Sequence, residues 1–192
     1  MILPLDFTII KTQRLRIELR HGILENDLTA IQGVDSTVSW VRPAFMMFGR
    51  QVQRRCETAT FGQYRYRGGP SPADKWPAII TEIGAAVAER IGKPCPPDIG
   101  VANRYLSGRD ALGWHTDAEA SMGPNPTVAT LSLGAERNID LRVDGHGIRV
   151  PLASNSLLIF EGDLARVPHR IPPTNDAGKR ISLSFRWKGE SK

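Results

Sequence analysis

The sequence has few of the features that mark membrane, repeat or cysteine-rich proteins. It contains no apolar run long enough for a signal peptide or a membrane span, and it has no internal repeat or low-complexity tract. Only two cysteines are present, Cys56 and Cys95, and their spacing is not that of a metal-binding pair. We therefore expect a soluble monomer in a reducing compartment, which would be the cytoplasm of a bacterium or the nucleus of a eukaryote.

Length and charge narrow the class of protein further. A chain of 192 residues fits one domain, so we expect residues 1–192 to form a single unit around one site. The 25 Lys and Arg against 20 Asp and Glu give a formal charge of +5. This balance favours an anionic partner such as nucleic acid, although many ordinary enzymes are equally basic.

The hydrophobic pattern predicts strands at both ends of the chain and helices between them. Strand-like runs "FTIIK" and "RLRIEL" precede a short helix near "LENDLTAIQ", and helical spacing predicts a second helix between Pro72 and Pro94 that covers one face of a sheet. From Ile99 onward, about seven β-runs follow without an intervening helix: "GVANRYL", "TVATLSLG", "NIDLRVDG", "GIRVPL", "NSLLIFEG", "ARVPHRI" and "KRISLSFRW". The fold class is therefore mainly β with flanking helices, built as an antiparallel sandwich or roll.

The stretch "GWHTDAEA" contains the first candidate metal ligands. In a strand, side chains two positions apart point to the same face, so His115 and Asp117 could reach one ion. His169 in "VPHRIP" would be the third ligand if a closed roll brings its strand opposite the first. Two His and one carboxylate are typical of non-haem Fe(II) oxygenases. His146 and His21 are rival third ligands, and the pair could also be an ordinary strand edge followed by a turn.

A second polar pattern occurs in "RISLSFR" near the C-terminus. Strand alternation puts its polar side chains on one face, opposite an apolar face; the polar set is Arg180, Ser182, Ser184 and Arg186. An interior face of this kind would bind an anion, because the guanidinium fork of Arg matches a carboxylate. The alternative is an outer strand with its Arg side chains in water. In "NRYLSG", Asn103 and Tyr105 share a face in the same way.

A third pattern is the basic and aromatic stretch 42–67, which has Glu57 as its only acid. Its cations and rings are Arg42, Arg50, Arg54, Arg55, Arg65, Arg67, Phe45, Phe48, Phe61, Tyr64 and Tyr66. Basic side chains interspersed with rings suit phosphate contact and base stacking. A solvated arginine-rich hairpin that covers a core is the alternative.

Taken in order, the motifs resemble those of the AlkB family of Fe(II)- and 2-oxoglutarate-dependent dioxygenases, in the branch of the human DNA-repair homologues two and three. The motifs are "NRYLSG", "HTD", "TLSLG", "SLLIF", "HRIP" and "RISLSFR", with "FGRQVQRRCETATFG" and "YRYRGG" upstream. The resemblance covers residues 45–187. It implies a double-stranded β-helix, or jelly-roll, core over 99–188, with a nucleotide-recognition lid over 42–70.

The resemblance also assigns site residues. It implies iron ligation by His115, Asp117 and His169. It implies that 2-oxoglutarate is held by Asn103, Tyr105, Arg180, Ser184 and Arg186, with Arg180 on the distal carboxylate, and we add Ser182 from the same strand face. The flipped base would be lined by Tyr64, Tyr66 and Glu119, while Phe48 would probe the duplex.

Three departures from the family pattern border the implied substrate pocket. Ala118 stands where relatives often carry an acid, and Arg55 with Cys56 replaces a common Pro-Arg pair. Val167 and Pro168 replace aromatic residues that often precede the distal His. These differences affect the expected substrate more than the expected iron chemistry.

The resemblance implies an enzyme that uses Fe(II), 2-oxoglutarate and O2 to demethylate 1-methyladenine and 3-methylcytosine in DNA, and possibly in RNA, as direct-reversal repair. The N-methyl group would be hydroxylated and then lost as formaldehyde, while 2-oxoglutarate would give succinate and carbon dioxide. Two alternatives are a 2-oxoglutarate-dependent hydroxylase or demethylase of a protein or small molecule, and a nucleic-acid-binding module with an inactive metal centre.

Overall fold

A computed structural model of the protein describes residues 6–47, 49–62, 75–118 and 120–189. The strands are β1 (Phe7–Lys11), β2 (Leu15–His21), β3 (Ala44–Met47), β4 (Arg50–Gln53), β5 (Glu57–Phe61), β6 (Ile99–Tyr105), β7 (Leu112–His115), β8 (Thr127–Gly134), β9 (Arg137–Val143), β10 (His146–Leu152), β11 (Ser156–Gly162), β12 (His169–Ile171) and β13 (Arg180–Trp187). The helices are α1 (Asp27–Thr37) and α2 (Ala78–Ile91), with two short 3-10 helices at Ala120–Met122 and Leu164–Arg166.

Two antiparallel sheets form a jelly roll. The large sheet has the order β1-β2-β11-β8-β13-β6-β5, and the small sheet has the order β10-β9-β12-β7. The hairpin β3-β4 forms a separate two-stranded sheet. The prediction of a mainly β jelly roll with flanking helices is therefore confirmed. None of the helices in the described ranges is both long and apolar enough to cross a membrane.

Two details of the predicted strands were wrong. Strand β7 was not among the predicted runs, because its four residues "LGWH" include a glycine and show no regular alternation of apolar side chains. The predicted strand "ARVPHRI" is shorter in the structure: β12 begins only at His169, after a 3-10 turn over Leu164–Arg166. Pro168 lies between these elements and has no N–H group to donate to a sheet.

Both helices have recognisable termini. The side chain of Asn26 accepts a 3.0 Å hydrogen bond from the Thr29 N–H at the start of α1. Helix α2 ends at Gly92, whose φ of 74° is in the left-handed region. It begins at Ala78, later than predicted, because the chain is still extended at Pro77 (ψ 142°). Trp76 packs instead on the ring of Phe185, with 6.4 Å between ring centroids.

The alternation of β13 separates two kinds of interior. Ile181, Leu183 and Phe185 are buried in one apolar cluster with residues of α1 and α2, so the helices cover that face of the large sheet. Burying a side chain such as Leu183, which is 1% exposed, stabilises the fold by about 1.5–3 kcal/mol. The other face of β13 points between the two sheets, and that face carries the polar residues.

Candidate active site

A pocket between the two sheets is lined by the polar face of β13 and its neighbour β6. In the register of these strands, Arg180 lies opposite Tyr105 and Ser182 lies opposite Asn103. These four side chains line the pocket together with Ser184. Arg180, Ser182 and Asn103 are 1%, 3% and 6% exposed, so the alternative of an outer strand with solvated arginines does not apply here.

The small sheet brings a cluster of possible metal ligands to the same pocket. His115 at the end of β7 pairs directly with His169 at the start of β12. Together with Asp117, they place one ligand atom each within 4.8 Å of one another. Nε2 of His169 lies 3.7 Å from Oδ2 of Asp117. Two imidazoles and one carboxylate form the donor set that suits Fe(II).

The prediction that His115 and Asp117 are close because they share one face of a strand was wrong. Strand β7 ends at His115, and Asp117 lies in the irregular segment that follows. Asp117 is therefore not on the same strand face as His115. It is held in the pocket by an ion pair with Arg186 of the other sheet, at 2.7 Å between Nη2 and Oδ1.

Backbone carbonyl groups orient both imidazoles. The Nδ1 atom of His115 lies 2.8 Å from the carbonyl oxygen of Gly113, and Nδ1 of His169 lies 3.0 Å from that of Val167. A carbonyl can only accept a hydrogen bond, so each Nδ1 carries a proton and Nε2 is the ring nitrogen left to bind a metal ion. Hydrogen bonds of this kind fix the tautomer of histidines that bind metals.

A β-bulge explains how β7 faces the pocket. The pairs His115–His169 and Leu112–Ile171 leave two residues of β7 opposite a single residue, Arg170, of β12. Leu112 and His115 can therefore both line the pocket although they are three positions apart. Trp114 is directed to the outer face.

The electrostatics of the cluster favour the protonation states that bind a cation. Burial, together with a smaller contribution from the neighbouring His169, lowers the pKa of His115 to about 4. This imidazole is therefore neutral at pH 7. Burial raises the pKa of Asp117, but the Arg186 guanidinium and the two imidazoles outweigh it and bring the net pKa below its usual value. The carboxylate is therefore ionised.

Arg180 is suited to hold an anion. Its Nη2 donates a 2.9 Å hydrogen bond to Oγ of Ser132, while Nε and Nη1 are buried and have no hydrogen-bond partner among the described residues. A buried guanidinium with two unused donors is costly unless an anionic group joins it. The distal carboxylate of 2-oxoglutarate would supply that partner.

Sequence reasoning missed Arg137, which supports the pocket from behind. It is 2% exposed and donates hydrogen bonds to the backbone carbonyls of Ser107, Gly108, Asp110 and Pro172. These carbonyls belong to the loops before β7 and after β12. The Arg137 guanidinium also lies 5.5 Å from the centre of the Tyr105 ring, which Arg180 approaches to 5.1 Å. The alternation of β9 indicates that the Arg137 side chain lies on the inner face of the sheet. The sequence contains no sign of the carbonyl groups to which it donates hydrogen bonds.

Tyr105 is enclosed between these two guanidinium groups. It is 1% exposed, and burial raises its pKa to about 12. Its hydroxyl group is therefore protonated at neutral pH and can donate a hydrogen bond to an anion in the pocket.

The remaining predicted residues have different positions. His146 is exposed at the β9-β10 hairpin and His21 is half-buried at the end of β2, and neither belongs to the ligand cluster. Four predicted substrate contacts lie outside the described residues: Phe48, Tyr64, Tyr66 and Glu119. Arg65 and Arg67 of the basic stretch lie outside them as well.

The described part of the basic stretch borders the pocket. Arg54 lines the pocket. Arg42 forms a 3.4 Å ion pair with Asp110, and Nη2 of Arg55 donates a 2.7 Å hydrogen bond to the Arg109 carbonyl. These contacts attach the stretch to the loop before β7.

The departures from the family pattern are divided between the core and the surface. Cys56 is fully buried, and its Sγ donates a weak 3.9 Å hydrogen bond to Oδ1 of Asn103. Burial raises the pKa of this thiol, so it stays protonated. Val167 is 1% exposed, whereas Ala118 is exposed.

Comparisons with known proteins agree with this fold. A family model described as the 2OG-Fe(II) oxygenase superfamily matches residues 25–186, and the chain belongs to this superfamily. Its curated relatives are members of the AlkB family, as the motifs predicted. The superfamily uses Fe(II), 2-oxoglutarate and O2, which confirms the predicted cofactors.

Two relatives and one solved structure illustrate the similarity. The rat protein named alpha-ketoglutarate-dependent dioxygenase alkB homolog 3 is 29% identical over 145 residues, which cover 67% of this chain and 48% of that protein. The Arabidopsis thaliana DNA oxidative demethylase ALKBH2 is 29% identical over 150 residues, 67% of this chain and 46% of that protein. The chain thus spans about half the length of the curated relatives it matches. The structure of OsALKBH1 shares the fold with a TM-score of 0.63 at 18% identity, over 92% of this chain and 99% of that one.

Proposed function

We propose that this dioxygenase oxidatively demethylates N-alkylated bases, with 1-methyladenine and 3-methylcytosine in DNA or RNA as substrates. The observation that carries the proposal is the combination of the His115, Asp117 and His169 cluster with the unpartnered buried donors of Arg180 in one pocket. The first set suits Fe(II), and the second suits the far carboxylate of a dicarboxylate.

The residues of the chain would have separate tasks in this reaction. His115, Asp117 and His169 would hold the metal from one side, and Arg186 would keep Asp117 ionised and oriented. Arg180, Tyr105 and Asn103 would hold 2-oxoglutarate by hydrogen bonds. When bound, iron would supply the activation of O2, with one oxygen atom used to convert 2-oxoglutarate to succinate and carbon dioxide and the other to hydroxylate the N-methyl group, and the hydroxymethyl product would release formaldehyde.

The pocket also limits access of water. Its apolar wall includes Leu158, Phe160 and Ile171, which are all at most 5% exposed. Phe160 lies against the ring of His169, with 5.4 Å between centroids. Phe160 would help to fix the ring of His169. The three apolar side chains would keep water away from the methyl group that reacts.

Charge and relatives support a nucleic-acid substrate. The chain has a formal charge of +5, and Arg54 of the basic stretch lines the pocket. Two matched relatives, from Arabidopsis thaliana and human, are named DNA oxidative demethylases. A methylated base must leave its stack to reach such a pocket, so the lid predicted over 42–70 would grip the strand while the base is flipped.

The deciding experiment is an anaerobic loading of the protein with Fe(II), followed by air, 2-oxoglutarate and oligonucleotides that each carry one methylated base. Mass spectrometry should show the loss of one methyl group from DNA or RNA, with succinate and formaldehyde formed in equal amounts. The matched control is the Asp117→Asn protein, which keeps the shape of the side chain but not its charge. Succinate formed without demethylation of any oligonucleotide would instead support a protein or small-molecule hydroxylase.

A further inference from the structure

The outer face of the small sheet carries an arginine-rich surface that the proposed reaction does not use. Side chains that alternate with the buried ones on β9, β10, β12 and β7 point outward there. The charged and aromatic members of this set are Trp114, Asp140, Arg142, Arg149 and Arg170, and we call them the outer-sheet surface. Three guanidinium groups face a single carboxylate, so the surface has a formal charge of +2.

Trp114 is the aromatic centre of this surface. Its ring lies 4.2 Å from the guanidinium carbon of Arg142 and 4.8 Å from that of Arg170, measured to the ring centroid. Trp114 is nevertheless 38% exposed, which is unusual for so large an apolar side chain. The two arginines hold the ring in place but leave part of it open to solvent.

The position of β7 determines where the ring is open. β7 is the edge strand of the small sheet, and Arg170 and Arg142 come from β12 and β9 on the same side of it. On the other side of β7, no described strand of this sheet covers the ring. The exposed part of Trp114 therefore lies at the edge of the small sheet, with cations beside it.

The ion pairs found among the described residues do not neutralise the positive charge of the arginines on this surface. Asp140 is shared by Arg149 and Arg170, at 2.7 and 2.9 Å. No carboxylate of the described residues lies within ion-pair distance of Arg142. An exposed ring beside such cations is the combination that binds single-stranded nucleic acid, in which a base stacks on the ring while a guanidinium contacts a phosphate.

The outer-sheet surface lies on the opposite face of the small sheet from the candidate metal centre, and the two share strands β7 and β12. Trp114 precedes His115 and Arg170 follows His169, and in each pair one side chain points out while the other points into the pocket. We propose that the outer-sheet surface binds the unpaired nucleotides that flank the flipped base, with one base stacked on Trp114 and a phosphate on Arg142. This inference rests on the proposed function.

The test uses an unmodified, fluorescently labelled single-stranded 12-mer, so that binding is measured apart from catalysis. Trp114→Ala should weaken binding at least about fivefold, the lower end of the effect of removing a stacking ring. Trp114→Phe should restore most of it. Arg142→Gln should weaken binding and make it less sensitive to salt, because one phosphate contact is lost.

Arg90→Gln is the matched control. Arg90 lies on α2, which packs against the large sheet, and it is 39% exposed as part of an ion pair with Asp6. This variant tests the loss of one positive charge far from the outer-sheet surface. Thermal unfolding and Co(II) binding of each variant should match the wild type, which would show that the fold and the neighbouring His115 are intact.

Three results would overturn the proposal. The first is that Trp114→Ala binds the 12-mer as tightly as the wild type, and the second is that Trp114→Ala loses no more affinity than Arg90→Gln. The third is that a polyglutamate peptide binds as tightly as the oligonucleotide. The wild-type activity assay separates the two proposals. If methylated oligonucleotides are demethylated but Trp114→Ala binds normally, only the outer-sheet surface is wrong. If no oligonucleotide is bound or demethylated, the proposed function fails as well.

Discussion

Arg186 donates a 2.7 Å hydrogen bond from Nη2 to Oδ1 of Asp117, and this contact joins the two sheets at the candidate metal centre. Arg186 is 4% exposed and Asp117 is 6% exposed, so the pair is shielded from water. One carboxylate oxygen is bound to the guanidinium, while the other, Oδ2, is directed toward His169. The arrangement therefore keeps one oxygen of Asp117 for a metal ion.

The first prediction concerns the metal. Asp117→Asn should reduce Fe(II) affinity by well over tenfold and abolish turnover, because even changes in groups that only orient a ligand cost about 10- to 100-fold. Metal content after equilibrium dialysis measures the loss. His146→Ala is the control, since this histidine is exposed and lies outside the cluster. If His146→Ala lost iron while His169→Ala kept it, the ligand assignment would be wrong.

The second prediction concerns 2-oxoglutarate. Arg180→Lys keeps the charge but loses the planar fork, so affinity should fall more than tenfold, on the order of 1.5 to 3 kcal/mol. Anaerobic titration calorimetry of the metal-loaded protein measures it. Ser132→Ala removes the neutral partner of the same guanidinium and should have a smaller effect. An unchanged affinity for 2-oxoglutarate in Arg180→Lys would refute the assignment.

The third prediction concerns Arg137. Arg137→Met leaves four backbone carbonyls without their donor, so the free energy of unfolding should fall by about 3 kcal/mol. Urea unfolding measures the change. The control is Arg149→Gln, an exposed arginine whose loss should change stability much less than the loss of Arg137. Equal effects of the two substitutions would show that Arg137 does not support the loops.

The fourth prediction concerns acid stability. Burial raises the pKa of Asp35, but hydrogen bonds from Lys179 and Arg104 outweigh it, so the net pKa lies below the usual value. Its contribution to stability is therefore complete above the unfolded pKa of about 3.9 and is lost as pH falls through the lower folded pKa. Asp35→Asn should lower stability at pH 7 by up to about 1 kcal/mol and flatten its fall below about pH 4.

Unfolding curves between about pH 2 and pH 7 measure this fourth effect. Glu89→Gln is the matched control, because Glu89 is exposed on α2. A variant at Asp35 that kept the wild-type slope in acid would contradict the prediction.

The fifth prediction concerns the lesion. Adenine methylated at N1 and cytosine methylated at N3 carry a positive charge and an exocyclic amine. The amine would donate a hydrogen bond to Glu119, while Tyr66 would stack on the base. Both lesions should therefore be repaired faster than uncharged N-methyl thymine. Competition between lesions placed in one oligonucleotide measures the preference. Equal repair of methyl-thymine would contradict the predicted preference for charged lesions, and binding that does not weaken with salt would argue against a nucleic-acid substrate.

Local sequence pattern was sufficient for most strands and for the polar face of β13. Alternation within "RISLSFR" depends only on the two-residue period of a strand, so Arg180 and Ser182 were predicted on one face and lie there. The termini of α1 follow from local signals of the same kind, such as the side chain of Asn26. Each AlkB motif is short, but the resemblance that implied the cofactors depends on the order of the motifs over residues 45–187.

Contacts between distant segments were decided only by the tertiary structure. Asp117 reaches the pocket through Arg186, which lies 69 positions away, and not through the strand alternation that the sequence suggested. The bulge in β7, the carbonyl partners of Arg137 and the Arg142 contact with Trp114 likewise depend on which strands become neighbours. The two-residue period of a strand predicts which of its side chains share a face. It does not specify which strands pair with one another, because that depends on the burial of all the strands together.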